Sequence, residues 1–253
     1  MTVKFLGTGT SQGIPLIACN CYVCRSPDYR DKRLRSSVLL QLGEKNVVID
    51  TGPDFRYQML REEVDHLDAI LFTHSHKDHI AGLDDVRAFN RQQGAIDLYA
   101  TNDVHEALKR EFYYAFTPKK YPGVPQLNLH EITLSPFLLF GNEIVPIEVM
   151  HYMMPVLGFR IGDFTYITDA KTIGENEIKK IIGTKILVVN ALQREPHISH
   201  FTLEEAIDFS IRIGAPQTYF THISHKLGRH EDVQNELPPG ISLAYDGLTM
   251  TLD

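Results

Sequence analysis

The stretch Thr73-His74-Ser75-His76-Lys77-Asp78-His79 limits this chain more than any other, because it follows the apolar run Ala69-Ile70-Leu71-Phe72 directly. A short apolar run of that kind reads as a buried strand, and strands usually close in a polar turn. Here the closure brings three imidazoles and a carboxylate within six residues. His74 and His76 are two apart in extended chain, so both rings can face one cation. Ile80, Leu83, Val86 and Phe89 then recur at intervals of three, which predicts a helix. Asp78 and His79 sit where the chain turns into it and can face a second cation beside the first.

The same device recurs along the chain. Asp50 ends Val47-Val48-Ile49, His151 follows Val149-Met150, Asp169 ends Tyr166-Ile167-Thr168, and His222 follows Tyr219-Phe220-Thr221. Taken singly, an aspartate caps a turn and a lone histidine is an ordinary polar residue. Strand ends that converge on one sheet edge can instead aim several side chains at one point, as a metal centre requires. Asp169 has two oxygens with which to bridge two cations. Asp50 is expected behind the ligands, as an acceptor that orients a ligand histidine. Histidine and aspartate without cysteine suit zinc, manganese or iron and do not choose among them.

The three cysteines all lie in Cys19-Asn20-Cys21-Tyr22-Val23-Cys24. An odd number so closely spaced does not make a disulfide framework. Three thiolates at this spacing fit a tetrahedral soft metal that still needs one ligand, and a histidine elsewhere is expected to supply it.

The remainder reads as strands alternating with helices. Strands are expected at 4–6, 37–42, 47–50, 68–73, 96–100, 127–134, 143–150, 156–161, 164–168, 185–190 and 217–221, with a strand-like C-terminus. Helices are expected at 53–64, 103–115 and 202–213, the last opened by a capping box of Thr202 and Glu205. No linker or low-complexity tract divides the 253 residues, which predicts one domain, 1–253, with two sheets covered by helices. The segment 112–127, rich in Tyr, Pro and Lys, reads as a loop able to sit over the site, with Lys119 and Lys120 a solvated pair. A net charge of -7 argues against nucleic acid or an anionic membrane as partner. The N-terminus reads as strand and turn, with no signal core or membrane span, which predicts a cytoplasmic protein.

His74, His76, Asp78 and His79, followed by His151, Asp169 and His222, resemble the ligand set of the metallo-β-lactamase superfamily. That resemblance implies an α/β fold, an αββα sandwich of two mixed sheets flanked by helices, with a dinuclear site at one edge. The N-terminal Phe5-Leu6-Gly7-Thr8-Gly9-Thr10 stretch resembles the ribonuclease Z branch. The cysteine loop, the following Ser26-Pro27-Asp28-Tyr29-Arg30 and the late Thr221-His222-Ile223-Ser224-His225 are similar to the phosphoribosyl 1,2-cyclic phosphate phosphodiesterases. In that family the cysteine loop and the second histidine of the late motif hold a structural zinc, which makes His225 the fourth ligand beside Cys19, Cys21 and Cys24. His222 then serves the catalytic pair.

The same resemblance points to His200 as proton donor, and His197 competes for the role. Chemistry alone calls for such a group, since hydroxide held between two cations attacks phosphorus and the departing alkoxide needs a proton. The implied activity is hydrolysis of a small, cyclic phosphodiester such as 5-phosphoribosyl 1,2-cyclic phosphate. His200 and Asp78 are the catalytic residues, with two Mn2+ or Zn2+ ions and one structural Zn2+. Ala170-Lys171 after Asp169 departs from those relatives, where a small residue or threonine stands. The family also suggests a homodimer. Alternatives are an RNA 3′-processing endonuclease of the ribonuclease Z type, a lactone or thioester hydrolase, and a non-catalytic metal- or nucleotide-binding protein. His76 argues against a redox di-iron protein, whose motif carries glutamate there. His66, His105, His130 and His230 fit no motif and are expected to be ordinary surface or helix residues.

Overall fold

The computed structural model describes residues 1–119 and 121–252; Lys120, half of the expected solvated pair, lies outside them. The first sheet runs in space through β1 (Thr2–Gly7), β2 (Ser37–Leu42), β3 (Lys45–Ile49), β4 (Ala69–Leu71), β5 (Ile96–Ala100) and β6 (Leu127–Glu131). From β3 to β6 the pairing is parallel. The second sheet holds β7 (Phe137–Leu139), β8 (Asn142–His151), β9 (Met154–Ile161), β10 (Phe164–Tyr166), β11 (Thr172–Ile173), β12 (Ile186–Asn190), β13 (Gln217–Thr221) and β14 (Ile241–Leu243). Its spatial order is β11-β8-β9-β10-β12-β13-β14, with β7 paired to β8 and β10-β12-β13-β14 parallel. A last strand, β15 (Thr249–Thr251), returns to the first sheet and pairs antiparallel with β1.

Strand alternation decides which side chains meet. On the first sheet Val38, Leu40, Val47, Ile49 and Leu71 face Leu157, Phe159, Phe164, Tyr166 and Val188 of the second. Their neighbours Leu39, Val48 and Ile70 point the other way, onto Phe55, Met59, Leu83 and Phe89 of the covering helices. The outer face of the second sheet packs Val189 and Phe220 against Leu203, Ala206 and Phe209 of the helix Leu203–Ile213. Full burial of such a side chain contributes about 1.5–3 kcal/mol, so this two-faced pattern fixes the register of both sheets. The result is the expected α/β sandwich of two mixed sheets flanked by helices.

Parallel strands put their C-terminal ends on one edge, where ligand sites of α/β sheets form. Asp50 follows β3, His74 follows β4, Asp169 follows β10 and His222 follows β13, while His151 ends β8. Backbone hydrogen bonds weld the sheets at this edge: the Leu157 N–H donates to the Thr73 carbonyl at 3.0 Å, and that of Ile223 to the Thr8 carbonyl at 2.9 Å.

Within the segment 112–127, Tyr113–Phe116 is helical, whereas the described residues 117–119 and 121–126 form the expected loop. Phe112 and Ala115 are buried in the outer helical layer, and Gln126 donates its N–H to Asn90. Phe112 is core for that layer, whereas Tyr113 and Tyr121 are exposed. The structure also adds elements not expected from sequence: β7, β11 and the helices Glu175–Ile181 and His230–Glu236.

Candidate metal centre and active site

Asp50 organises the first wall of the site. Its carboxylate accepts from the Thr73 N–H at 2.9 Å, the Thr73 hydroxyl at 2.7 Å and His79 Nδ1 at 2.7 Å. The Thr73 hydroxyl in turn accepts from His74 Nδ1 at 2.9 Å. One carboxylate thereby orients two histidines, turning each Nε2 away from it toward the other donors. Both Nε2 atoms, of His74 and of His79, are buried without a hydrogen-bond partner. An unpartnered buried nitrogen is costly, so a cation suits this place. Asp50 therefore lies behind His74 and His79, hydrogen-bonded to one through Thr73 and to the other directly.

Asp169 is the hub. Its Oδ2 lies 3.3 Å from His79 Nε2 and accepts from the Thr168 hydroxyl at 2.6 Å. Its Oδ1 lies 3.3 Å from His222 Nε2 and 3.0 Å from His200 Nε2. The His151 ring directs Nδ1 to the Ser199 carbonyl at 3.0 Å, which again leaves Nε2 free. Donor atoms within 4.8 Å of one another form three overlapping groups: His74, His79 and Asp169; Asp78, His79 and His222; His151, Asp169 and His200. His76 is exposed and stands outside these groups, its ring centroid 4.7 Å from that of His74 and 5.2 Å from that of His151.

Three of these residues occupy the left-handed region: Asp50 at φ 63°, Asp169 at φ 56° and His222 at φ 56°. Asp and His tolerate that region better than most residues, and the strain, about 1–3 kcal/mol each, is offset by the hydrogen bonds above. Glycine is needed where the turn after β3 meets the histidine motif. A Cβ on Gly52 would lie 2.2 Å from the Asp78 carbonyl oxygen, and one on Gly82 would lie 2.1 Å from that of Gly52. This close approach lets the Thr51 N–H donate to the His79 carbonyl at 2.7 Å.

Charge is arranged for metal binding. Burial pushes the Asp50 carboxyl up, against the His79 charge and the donated hydrogen bonds. Burial also holds His74 well below the ordinary histidine value, brings His222 down to about 4 and lowers His151. The lowering favours the neutral, ligand-competent form of these rings. For His79 burial opposes charge, but Asp50, Asp78 and Asp169 outweigh it and lift the ring well above its usual value. Burial would raise Asp169 and Asp78, yet the neighbouring histidines hold both well below the usual carboxylate range.

The cysteine loop forms a second cluster. Sγ of Cys19, Cys21 and Cys24 lie 3.3, 3.4 and 3.7 Å from His225 Nδ1. Tetrahedral zinc with bonds of about 2.3 Å to sulfur and 2.0–2.1 Å to nitrogen separates those atoms by about 3.6 Å, so the four donors fit one ion. The surroundings favour the thiolate at one position and oppose it at another. The Cys24 N–H, aimed at Cys21 Sγ at 3.4 Å, leads the causes that bring Cys21 down to about 6, whereas burial pushes Cys24 up to about 11.

His105 and His230, expected as surface or helix residues, lie in helices but are buried. His230 Nδ1 accepts from Arg33 at 3.1 Å, and its N–H donates to Asp31 at 2.7 Å. That partnership spans some two hundred residues and left no local signature. The hydroxyls of Thr73 and Thr168 were also missed. A signal existed: threonine immediately precedes His74, Asp169 and His222.

Residues 45–223 match the family model described as a beta-lactamase superfamily domain. With the sandwich and the metal-ligand edge, this places the chain in the metallo-β-lactamase superfamily. A solved structure described as a new diphosphatase from the PhnP family is 41% identical, covers 100% of this chain and 98% of its own, and superposes with a TM-score of 0.94. The chain thus belongs to the PhnP family within that superfamily. A Porphyromonas gingivalis protein named octanoyltransferase is 40% identical over 258 residues, spanning 100% of this chain and 52% of that protein. Ribonuclease Z of a Nostoc species is 27% identical over 172 residues, 64% of this chain and 47% of that enzyme. The chain spans about half the length of these curated relatives.

Proposed function

We propose that this chain is a metal-dependent phosphodiesterase acting on a small phosphorylated substrate, with residues 1–253 as one hydrolase domain. The observation that carries the reading is Asp169, one oxygen toward His79 and the other shared by His222 and His200. We read His74, His76 and His151 as holders of one divalent cation and Asp78, His79 and His222 as holders of a second, with Asp169 between them. When bound, two such ions, manganese or zinc, polarise a phosphoryl group and ease loss of a proton from water.

The side chains account for the remaining chemistry. Hydrolysis adds one water oxygen to phosphorus and breaks the bond to the leaving oxygen. His200 Nε2 supplies the proton that the leaving oxygen takes up, and Asp78 receives the one water gives up. His197 Nδ1, 3.2 Å from His200 Nδ1, backs the donor ring. The thiolate cluster holds a zinc that is structural. Its unpaired thiols suit a reducing, cytoplasmic setting.

We assign octanoyl transfer to the part of the Porphyromonas protein outside the match. All three thiols of this chain face His225, which leaves none to carry an acyl group. The reading is supported by the PhnP-family relative, itself described as a diphosphatase. It is tested by phosphorus NMR of 5-phosphoribosyl 1,2-cyclic phosphate with manganese-loaded protein. Ring opening is expected, with a rate about 10²–10⁴-fold lower for His200→Ala. No ring opening by the parent protein, with turnover of RNA 3′ ends instead, would move the assignment to ribonuclease Z chemistry.

A further inference from the structure

Two clefts flank the histidine-carboxylate cluster, and their linings differ in charge. The larger, about 500 Å³, opens beside His74 and is walled by Leu134, Met154, Pro155 and Leu157 with the carboxylates Asp103 and Glu148. Its described lining contains no lysine or arginine. The smaller, about 210 Å³, opens beside His200 and is walled by Ser11, Gln12, Gln193, His197, Ser224 and Lys226. It contains no carboxylate among its described lining residues.

The smaller pocket is firmly built. Arg35, ion-paired to Asp54 at 3.1 Å, donates from Nε to the Ser11 carbonyl at 3.1 Å. His225, bound into the thiolate cluster, forms the opposite wall between Ser224 and Lys226. Two lysines act on His197, Lys171 and Lys226. Lys171 is neutralised by Glu205 at 2.7 Å. Lys226 is exposed and has no ion pair among the described residues. The pocket's uncompensated positive charge therefore comes from Lys226, on the side from which His200 would protonate the leaving oxygen.

We propose that the pocket beside His200 is the subsite for a second, anionic group on the leaving arm, with Lys226 as its specificity-determining residue. The acidic and apolar cleft beside His74 takes the uncharged remainder of a larger diester and disfavours an anion there. This rests on the phosphodiesterase reading of the cluster. It adds to that reading the direction in which the substrate lies and the side chain that selects it. An ammonium on an exposed stem is a point charge that recognises a phosphate by position, and Ser11, Ser224 and Gln193 offer hydrogen bonds to hydroxyls beside it.

The test compares ribose 1,2-cyclic phosphate with and without a 5-phosphate. In Lys226→Ala the preference for the phosphorylated substrate, as a ratio of kcat/KM, is expected to fall about tenfold, through KM, with Lys226→Arg restoring most of it. A preference within twofold of the parent would overturn the assignment. Calorimetric binding of ribose 5-phosphate to the metal-loaded protein provides a second readout, expected to weaken about tenfold in Lys226→Ala. Equal affinity in the two proteins would also overturn the assignment. Turnover of neither cyclic phosphate by the parent would sink the reading as a small-diester phosphodiesterase, while the binding comparison would still decide whether Lys226 selects an anion.

Discussion

The two clusters of this molecule reach similar donor density by opposite routes. The thiolate cluster draws three of its four donors from the six residues 19–24 and needs one partner, His225. The histidine-carboxylate cluster gathers donors from 74–79, 151, 169, 200 and 222, and depends on three residues in left-handed backbone, Asp50 among them. A local cluster needs little beyond its own loop. A dispersed one exists only where both sheets are in register, so it inherits the stability of the whole sandwich. His225 lies three residues after His222, so the loop that follows β13 supplies one donor to each cluster.

The sharpest way to separate them is through Asp169. On the proposed reading Asp169→Ala removes the group shared by both cation positions and is expected to cost several kcal/mol of transition-state stabilisation, about 10³-fold or more in kcat, with the metal content of the cysteine cluster unchanged. Kinetics beside elemental analysis checks this. Loss of the thiolate-bound zinc as well would merge the two clusters into one cooperative unit.

Asp50→Ala probes the same contrast more gently. It frees the rings of His74 and His79 without removing a ligand, and an orienting acceptor of this kind is worth about 10–100-fold in metal affinity. Titration of the metal-free protein with manganese measures it. An unaltered affinity would show that Thr73 and packing hold the rings unaided.

Acid titration tests a buried histidine outside both clusters. Burial, assisted by Arg33, brings His230 down to about 4, below the 6.5 of an unfolded histidine. The unfolded chain then binds the additional proton between those values, so stability present above about pH 6.5 is lost as pH falls toward about 4. His230→Gln is expected to flatten that part of the stability profile of metal-free protein, followed by urea unfolding at stepped pH. An unaltered slope would assign the loss to other groups. The smallest effect is expected from Thr202→Ala. It removes one half of the capping box next to His200 and costs about 1 kcal/mol, read from the urea midpoint.

Much of this site was legible because its residues interrupt local patterns. Asp50, His74, His151, Asp169 and His222 each stand where an apolar strand stops, and an imidazole or carboxylate there is visible in a window of six residues. The cysteine loop is more local still. The helix Leu203–Ile213 announced itself by Thr202 and Glu205, and both hydrogen bonds of the capping box are present. What the sequence hid is long-range. Arg33 and His230, buried against each other, have no common window. The charge contrast between the two clefts depends on residues from five or more segments and appears only once the sheets are assembled.

The central claim is that two separate metal clusters divide the work, one for chemistry and one for structure. Its most direct test is to count metal in the parent and in Cys21→Ser by elemental analysis, with diester hydrolysis and thermal unfolding on the same samples. Sites of the thiolate class bind zinc with about 10–16 kcal/mol in small peptides, large beside the roughly 5–15 kcal/mol stability of a whole protein. The account predicts three ions in the parent and two in Cys21→Ser, with a markedly lower Tm and hydrolysis retained at temperatures where the variant is folded. Loss of all three ions together, or a folded Cys21→Ser that keeps two ions and no longer hydrolyses the diester, would contradict it.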